Sequence, residues 1–277
     1  MKRTIITPKS VEAHYWSDLL SYRGLFYFMA WRDVLVRYNQ TAIGIAWSIL
    51  RPLISIAIFW MIGWLLKIPD QGVPRIIMVT AATLPWQFFS SAFNDASLSL
   101  VENANLLTKV YFPRIIIPVS KVIVCLLDFM ISFSILIVIM VVVRYVPSWQ
   151  ILLLPVFLLL AIVTSLGSAL LIAVLTVRYR DFRLVIPFIV QFGLYISPVA
   201  FNSNSIYDNP QIPMVLKLLY SCNPMVSVID GFRWCITGGQ MQFNAFGFCL
   251  SLLISLSLLV WGFICFRRTE SHFADII

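Results

Sequence analysis

Charge is what this sequence has least of. Only 12% of its 277 residues are charged, and acids are scarcer than bases, 12 Asp plus Glu against 20 Lys plus Arg. Soluble domains carry about 25% charged residues. A chain that is 60% hydrophobic, with a mean hydropathy of +0.91, therefore lacks the charge to cover a water-facing surface. Soluble enzymes, disordered tails and disulfide-stapled secreted modules are excluded. Histidine is limited to His14 and His272, far apart in the chain. The five cysteines, Cys125, Cys222, Cys235, Cys249 and Cys265, show no CxxC or other metal spacing. Most read as packing residues, with a Cys222–Cys235 disulfide as the alternative for that pair, and no metal site is expected. The dipeptide Gly-Lys does not occur, so there is no G-x-x-x-x-G-K-[ST] phosphate loop with which to hydrolyse a nucleotide. HExxH and GxSxG are missing as well, and no catalytic residue is expected. The basic stretch Met1–Ser10 is followed by no apolar h-region, so no cleaved signal peptide is expected.

What the chain does have is long apolar runs. A spanning helix needs about 20 such residues, whereas barrel strands alternate over about 10. Six segments qualify: about Ala42–Leu66, Ile76 to about Leu100, Ile115–Val143, Ile151–Val177, a fifth from near Leu184 that stays uncharged until Asp208, and Phe243–Phe266. The expected fold is an all-α integral membrane protein. Residues 1–41 form a cytoplasmic N-terminus with an interfacial helix, and residues 42–277 form a six-helix transmembrane domain.

The scarce charges give the orientation. With the N-terminus inside, six spans leave Lys67, Arg75, Arg144, Lys217 and Arg233 on the far side, and the other fifteen of the 20 basic residues on the cytoplasmic side. Both termini are thus expected to be cytoplasmic. The basic excess reads as topology and gives no support to nucleic-acid binding.

Outside the spans, residues 15–38 place Trp16, Leu19, Leu20, Phe26, Trp31, Val34 and Tyr38 at roughly helical spacing among basic residues, with Asp33 and Arg37 as an i,i+4 pair. This pattern reads as an amphipathic helix lying on the membrane; the alternative is a simple extension of the first span. The stretch from Asn202 to Gln242 is too long for a plain connection. Its apolar pieces Met214–Tyr220 and Met225–Trp234, fenced by proline and glycine, suggest two extracytoplasmic re-entrant helices, with a folded surface loop as the alternative.

Within the spans, Asp128 is the one deep acid. An intramembrane carboxylate is a functional candidate by default, but without a relay it reads better as structural, with Lys121 on the same helical face as its possible partner. Polar stripes are more suggestive. Gln87, Ser90, Ser91, Asn94 and Ser97 share one face of the second span, and Phe188, Gln191, Phe192 and Tyr195 share one face of the fifth. The first span adds Trp47, Phe59, Trp60 and Trp64. Such stripes either pack against helices or line a wet cavity. Aromatic rings alternating with amides suit sugars, whose C–H faces stack while hydroxyls take hydrogen bonds.

Four runs carry a family resemblance: RDVLVRYNQTAIGIAWSILRPL, NANLLTKVYFPR, VRYRDFRLVIPFIVQFGLYISPVAF and NPMVSVIDGFRW. In this order they resemble the permease subunits of ATP-binding-cassette exporters for lipid-linked polysaccharides. Arg51 departs from the neutral residue usual before that proline. The resemblance implies a homodimer that binds two separate ATPase subunits, with ATP and magnesium held by those partners and no cofactor in this chain. It further implies a coupling segment over Asn103–Arg114 (Asn105, Lys109, Phe112, Arg114) and a second ATPase contact at Arg178, Arg180, Asp181 and Arg183. Gate helices fall within 210–237, and the glycan path would be lined by the stripes, with Trp47, Phe59, Trp60, Gln87, Asn94, Phe188, Gln191, Phe192 and Tyr195 as its residues. The pyrophosphate of a polyprenyl-linked glycan is expected to be attracted by Arg32 and Arg37. The expected setting is a bacterial inner membrane and its lipids. O-antigen is the preferred cargo, with capsule or teichoic-acid export as alternatives. An ion- or proton-coupled secondary transporter using Asp128 is a rival class, and an embedded glycan-modifying enzyme a weaker one.

Overall fold

The computed structural model describes residues 21–39, 46–65, 72–109, 112–239, 243–270 and 273. These are mostly helical, with no strand among the described residues. Helix α1 is Arg23–Asn39, α2 Ala46–Leu65, α3 Arg75–Glu102, α4 Ala104–Lys109 and α5 Ile116–Val143. A short 3₁₀ turn, Trp149–Leu153, leads into α6, Leu154–Arg178. Then come α7 Phe182–Ile196, α8 Asn204–Tyr207, α9 Met214–Ser221, α10 Pro224–Ile236 and α11 Ala245–Glu270.

Among the described residues, five helices are long and apolar enough to cross a membrane: α2, α3, α5, α6 with its preceding 3₁₀ turn, and α11. The expected fifth span is shorter than the others. It is α7, 15 residues, or about 22 Å at ~1.5 Å per residue against a hydrocarbon core of about 30 Å. The expectation of six full-length spans is corrected on this point. The cause is local: Ser197 precedes Pro198 and takes ψ 150, because the proline ring disfavours a helical residue before it. The expected interfacial segment is helical over Arg23–Asn39, while its residues 15–20 lie outside the described ones. Both expected re-entrant pieces are helices, α9 and α10, and Asn223 caps α10 by accepting from the Met225 backbone N–H at 3.1 Å.

Helix α3 is the centre of the bundle. It packs against α2, α5, α6, α7 and α10, and its Ala81, Ala82, Ala92 and Ala96 are fully buried. Small side chains permit that crowding. The α6–α11 pair is closer still: a Cβ on Gly167 would lie 2.5 Å from the Leu259 backbone nitrogen, and Thr164 and Ser255 share a 2.7 Å hydrogen bond across the same contact. Two apolar cores result, a large one around α3 and a second at the opposite end of α5 and α6 built on Met29, Leu107, Phe112, Ile117, Leu170 and Phe266.

Candidate functional site

Helices α2 and α7 both pack on α3 yet leave most of their own side chains uncovered. On α7, Ile186 is the buried residue, while Phe192 is 63% and Tyr195 69% exposed. Gly193 seats the helix: a Cβ there would lie 2.7 Å from the Trp86 ring of α3. Phe188 and Phe192 stack at 6.5 Å and, with exposed Gln191, form one outward face. On α2, Trp47 and Trp60 are exposed, whereas Phe59 is half-buried against the main core. Gln87, Ser90, Ser91 and Asn94 lie on the partly open face of α3, and Ser97 of the same sequence stripe is fully buried. Both helices with aromatic stripes thus pack on the helix that carries the polar one.

The charged residues beside these faces are arranged differently from the sequence expectation. Arg37 reaches two acids: Nη1 donates to Asp128 Oδ2 at 2.5 Å, and Nη2 pairs with Asp95. Asp128 also accepts from Tyr38 at 2.6 Å and Ser48 at 2.9 Å. Lys121 is not its partner; it pairs with Asp33 at 3.3 Å and Glu102 at 3.5 Å. Asp33 in turn takes Arg32 at 2.7 Å rather than Arg37, so the expected i,i+4 pair is corrected too. Arg32 also donates to Asn103 at 2.9 Å. Both arginines assigned to a carrier headgroup are therefore engaged within the protein, Arg32 by Asp33 of its own helix and by Asn103, and Arg37 by Asp95 and Asp128, which clamp α1 to α3 and α5. Sequence reasoning passed over Asp95, although it falls eight residues after Gln87 on the polar side of its helix.

The cationic end of the bundle is partly structural and partly open. Lys109, Asn105, Arg178, Arg180, Asp181 and Arg183 are exposed, with Arg178 over the Tyr179 ring at 5.4 Å. Phe112 is 3% exposed and belongs to the second core. Arg114 is tied to the end of α11: its backbone N–H donates to Glu270 Oε1 at 2.7 Å, and its guanidinium donates to the Glu270 carbonyl.

At the other end, Arg233 of α10 is the residue that pattern reading missed, its signal being a cation inside the apolar run Met225–Trp234. It is 4% exposed and donates to the carbonyls of Phe201 at 2.7 Å and Val199 at 3.1 Å. This holds α10 to the turn that ends α7. Asp230, one turn earlier, accepts from Ser203 at 2.6 Å. Removal from water pushes its carboxyl up to about 6, with Ser203 and Arg233 pulling the other way. Cys222 and Cys235 are both free thiols, the first exposed and the second buried. Among the described residues no cluster of His, Cys, Asp and Glu could hold a metal ion.

Comparison with known proteins agrees with this architecture. Residues 24–237 match the family described as ABC-2 type transporter. The chain is 25% identical over 217 residues to an O-antigen export system permease protein RfbA of Myxococcus xanthus, covering 78% of this chain and 81% of that one. It is 24% identical over 253 residues to a protein of the same name in Klebsiella pneumoniae, covering 89% and 92%. The chain belongs to the ABC-2 type transporter family, as a multi-pass membrane permease, and its 277 residues contain no phosphate loop.

Proposed function

We propose that the chain is the transmembrane subunit of an ATP-driven exporter that moves a lipid-linked polysaccharide of the O-antigen class out of the cytoplasm across a bacterial inner membrane. The observation that carries this reading is the pair of uncovered aromatic faces on α2 and α7, two helices that both pack on α3. A second copy of the chain would face them and complete an uncharged, ring-lined path wide enough for a polymer. Both termini are cytoplasmic, α7 serves as the fifth crossing, and α9 and α10 are re-entrant helices on the extracytoplasmic side. Two separate ATPase subunits bind ATP and magnesium and dock on α4 and on the exposed 178–183 turn. Their closure shifts α2 and α7 and opens the path. The relatives named as O-antigen export permeases favour that cargo over capsule or teichoic acid. The engagement of Asp128 by Arg37, Tyr38 and Ser48 favours a structural role over proton coupling.

The test is the double variant Phe192→Ala/Tyr195→Ala. Export of the lipid-linked glycan should fall severalfold while co-purification with the ATPase is unchanged. Wild-type export by that variant would sink the path assignment.

A further inference from the structure

An apolar groove of about 570 Å³ runs beside the second core, between α1, the first turns of α5, the middle of α6 and α11. That volume falls within the ~300–1,000 Å³ of small-molecule sites. Phe26, Ile116, Leu170, Val260 and Phe263 form its walls, and Arg23 is the charged residue in its lining. No lining residue comes from α2, α3 or α7, so the groove lies apart from the aromatic faces described above.

We propose that this groove is a site for an anionic glycerophospholipid, its acyl chains lying along α6 and α11 and its phosphate held by Arg23 and Arg268. The surroundings fix the chemistry of the tails. Val260 is 58% exposed on a helix long enough to span the membrane, so the medium at the mouth of the groove is hydrocarbon. The charge pattern fixes the headgroup. Arg268 follows the groove residue Ile264 by four positions, so it lies one turn further along the same face of α11, about 6 Å nearer the helix end. Arg23 stands at the start of α1, whose exposed Tyr27 and Trp31 belong at headgroup depth. Neither Arg23 nor Arg268 has an ion pair or hydrogen bond among the described residues. Their neighbours Arg114 and Arg267 are both engaged by Glu270. Two guanidiniums at the hydrocarbon edge with no carboxylate partner among the described residues select a phosphate with net negative charge over a zwitterion.

The test is native mass spectrometry of the intact chain released from detergent after incubation with equal amounts of phosphatidylglycerol and phosphatidylcholine of identical acyl chains. Wild type should retain phosphatidylglycerol preferentially. Arg23→Gln and Arg268→Gln should each lower that preference about fivefold, as expected for one basic residue at a membrane surface. Val260→Trp, which fills the groove, should lose the tight adduct of both lipids. Equal retention of the two lipids by wild type would overturn the proposal. So would unchanged adducts in Val260→Trp, which would mean that lipid binds elsewhere or that residues 1–20 fill the groove. Displacement of phosphatidylglycerol by an equal amount of undecaprenyl phosphate would also overturn it, by assigning the groove to a polyprenyl carrier. The arginine variants sit on the surface and keep the test decisive if the tryptophan variant does not fold.

Discussion

Arg37 and Asp128 meet at 2.5 Å although they lie on helices separated by three others in the sequence. The contact fastens α1 to α5, and the second arm of the same guanidinium fastens it to Asp95 of α3. A charge at this depth is expensive unless paired, and a guanidinium fork is suited to serving two carboxylates at once.

Arg37→Gln leaves Asp95 and Asp128 facing each other without their cation. It should cost roughly 1.5–3 kcal/mol, the worth of a hydrogen bond to a charged group. The check is thermal unfolding of the purified chain in detergent. Arg37→Lys should recover only part of the loss, since an ammonium has no fork. Arg37→Gln/Asp128→Asn should be less destabilised than the sum of its single variants.

Gly167 should tolerate no side chain. A methyl group there meets the backbone of Leu259, so Gly167→Ala must push α6 and α11 apart. The loss should be about 1–3 kcal/mol, read as a lower melting temperature. Gly24→Ala is the control. Nothing lies within 4 Å of its Cβ position, and it should be neutral or stabilising by up to about 1 kcal/mol.

Charge reversals at the cationic end should separate into two classes. Arg114→Glu loses the guanidinium bond to the Glu270 carbonyl and sets a second carboxylate beside that of Glu270, and it should lower the melting temperature of the isolated permease. Lys109→Glu and Arg180→Glu alter exposed residues and should leave it within about 0.5 kcal/mol of wild type. Under the proposed function these two weaken co-purification with the ATPase. An undiminished complex in Lys109→Glu/Arg180→Glu would count against docking at this surface.

Asp230 should make the packing of α10 sensitive to pH. Its neighbours are Ser203, Arg233, Tyr207 and Tyr220. A carboxyl raised from 3.8 to about 6 in the folded state holds its proton more tightly there than in the unfolded chain. Its stabilising contribution is therefore complete below pH 4 and is lost as pH rises through about 6. Protection of α10 amides from hydrogen exchange, taken relative to the intrinsic exchange rate at each pH, should be greater at pH 4.5 than at pH 7 by an amount on the order of 1–2 kcal/mol, and Asp230→Asn should flatten the difference.

The two thiols near α9 and α10 should react unequally. Cys222 is exposed and free, Cys235 buried and free. A membrane-impermeant maleimide should label Cys222 and leave Cys235 unmodified until the protein is denatured. Labelling of Cys222 in spheroplasts without lysis checks that α9 lies outside the cytoplasm; labelling only after lysis would reverse the topology.

Much of this architecture was legible residue by residue. The runs that became α3, α5, α6 and α11 are helices because hydrocarbon offers the backbone no partner but itself, and apolar length is therefore enough to announce them. The end of α7 needed attention to Pro198, and its short length follows from that one residue. That Phe188, Phe192 and Tyr195 share one face also followed from spacing, whereas whether that face is covered or exposed did not.

The amino-acid sequence by itself determined that this chain enters a membrane as a set of apolar helices, that it lacks a phosphate loop, and which faces are aromatic or polar. Its tertiary structure decided who pairs with whom. Asp33 had a partner of opposite sign at helical spacing, yet it takes Arg32 and Lys121, while Arg37 crosses to Asp95 and Asp128. Helix formation depends on groups within a few residues of one another, which the sequence spells out. Ion pairing depends on distances between helices, and those are set only when side chains such as Gly167, Gly193 and Ala92 allow the backbones to approach.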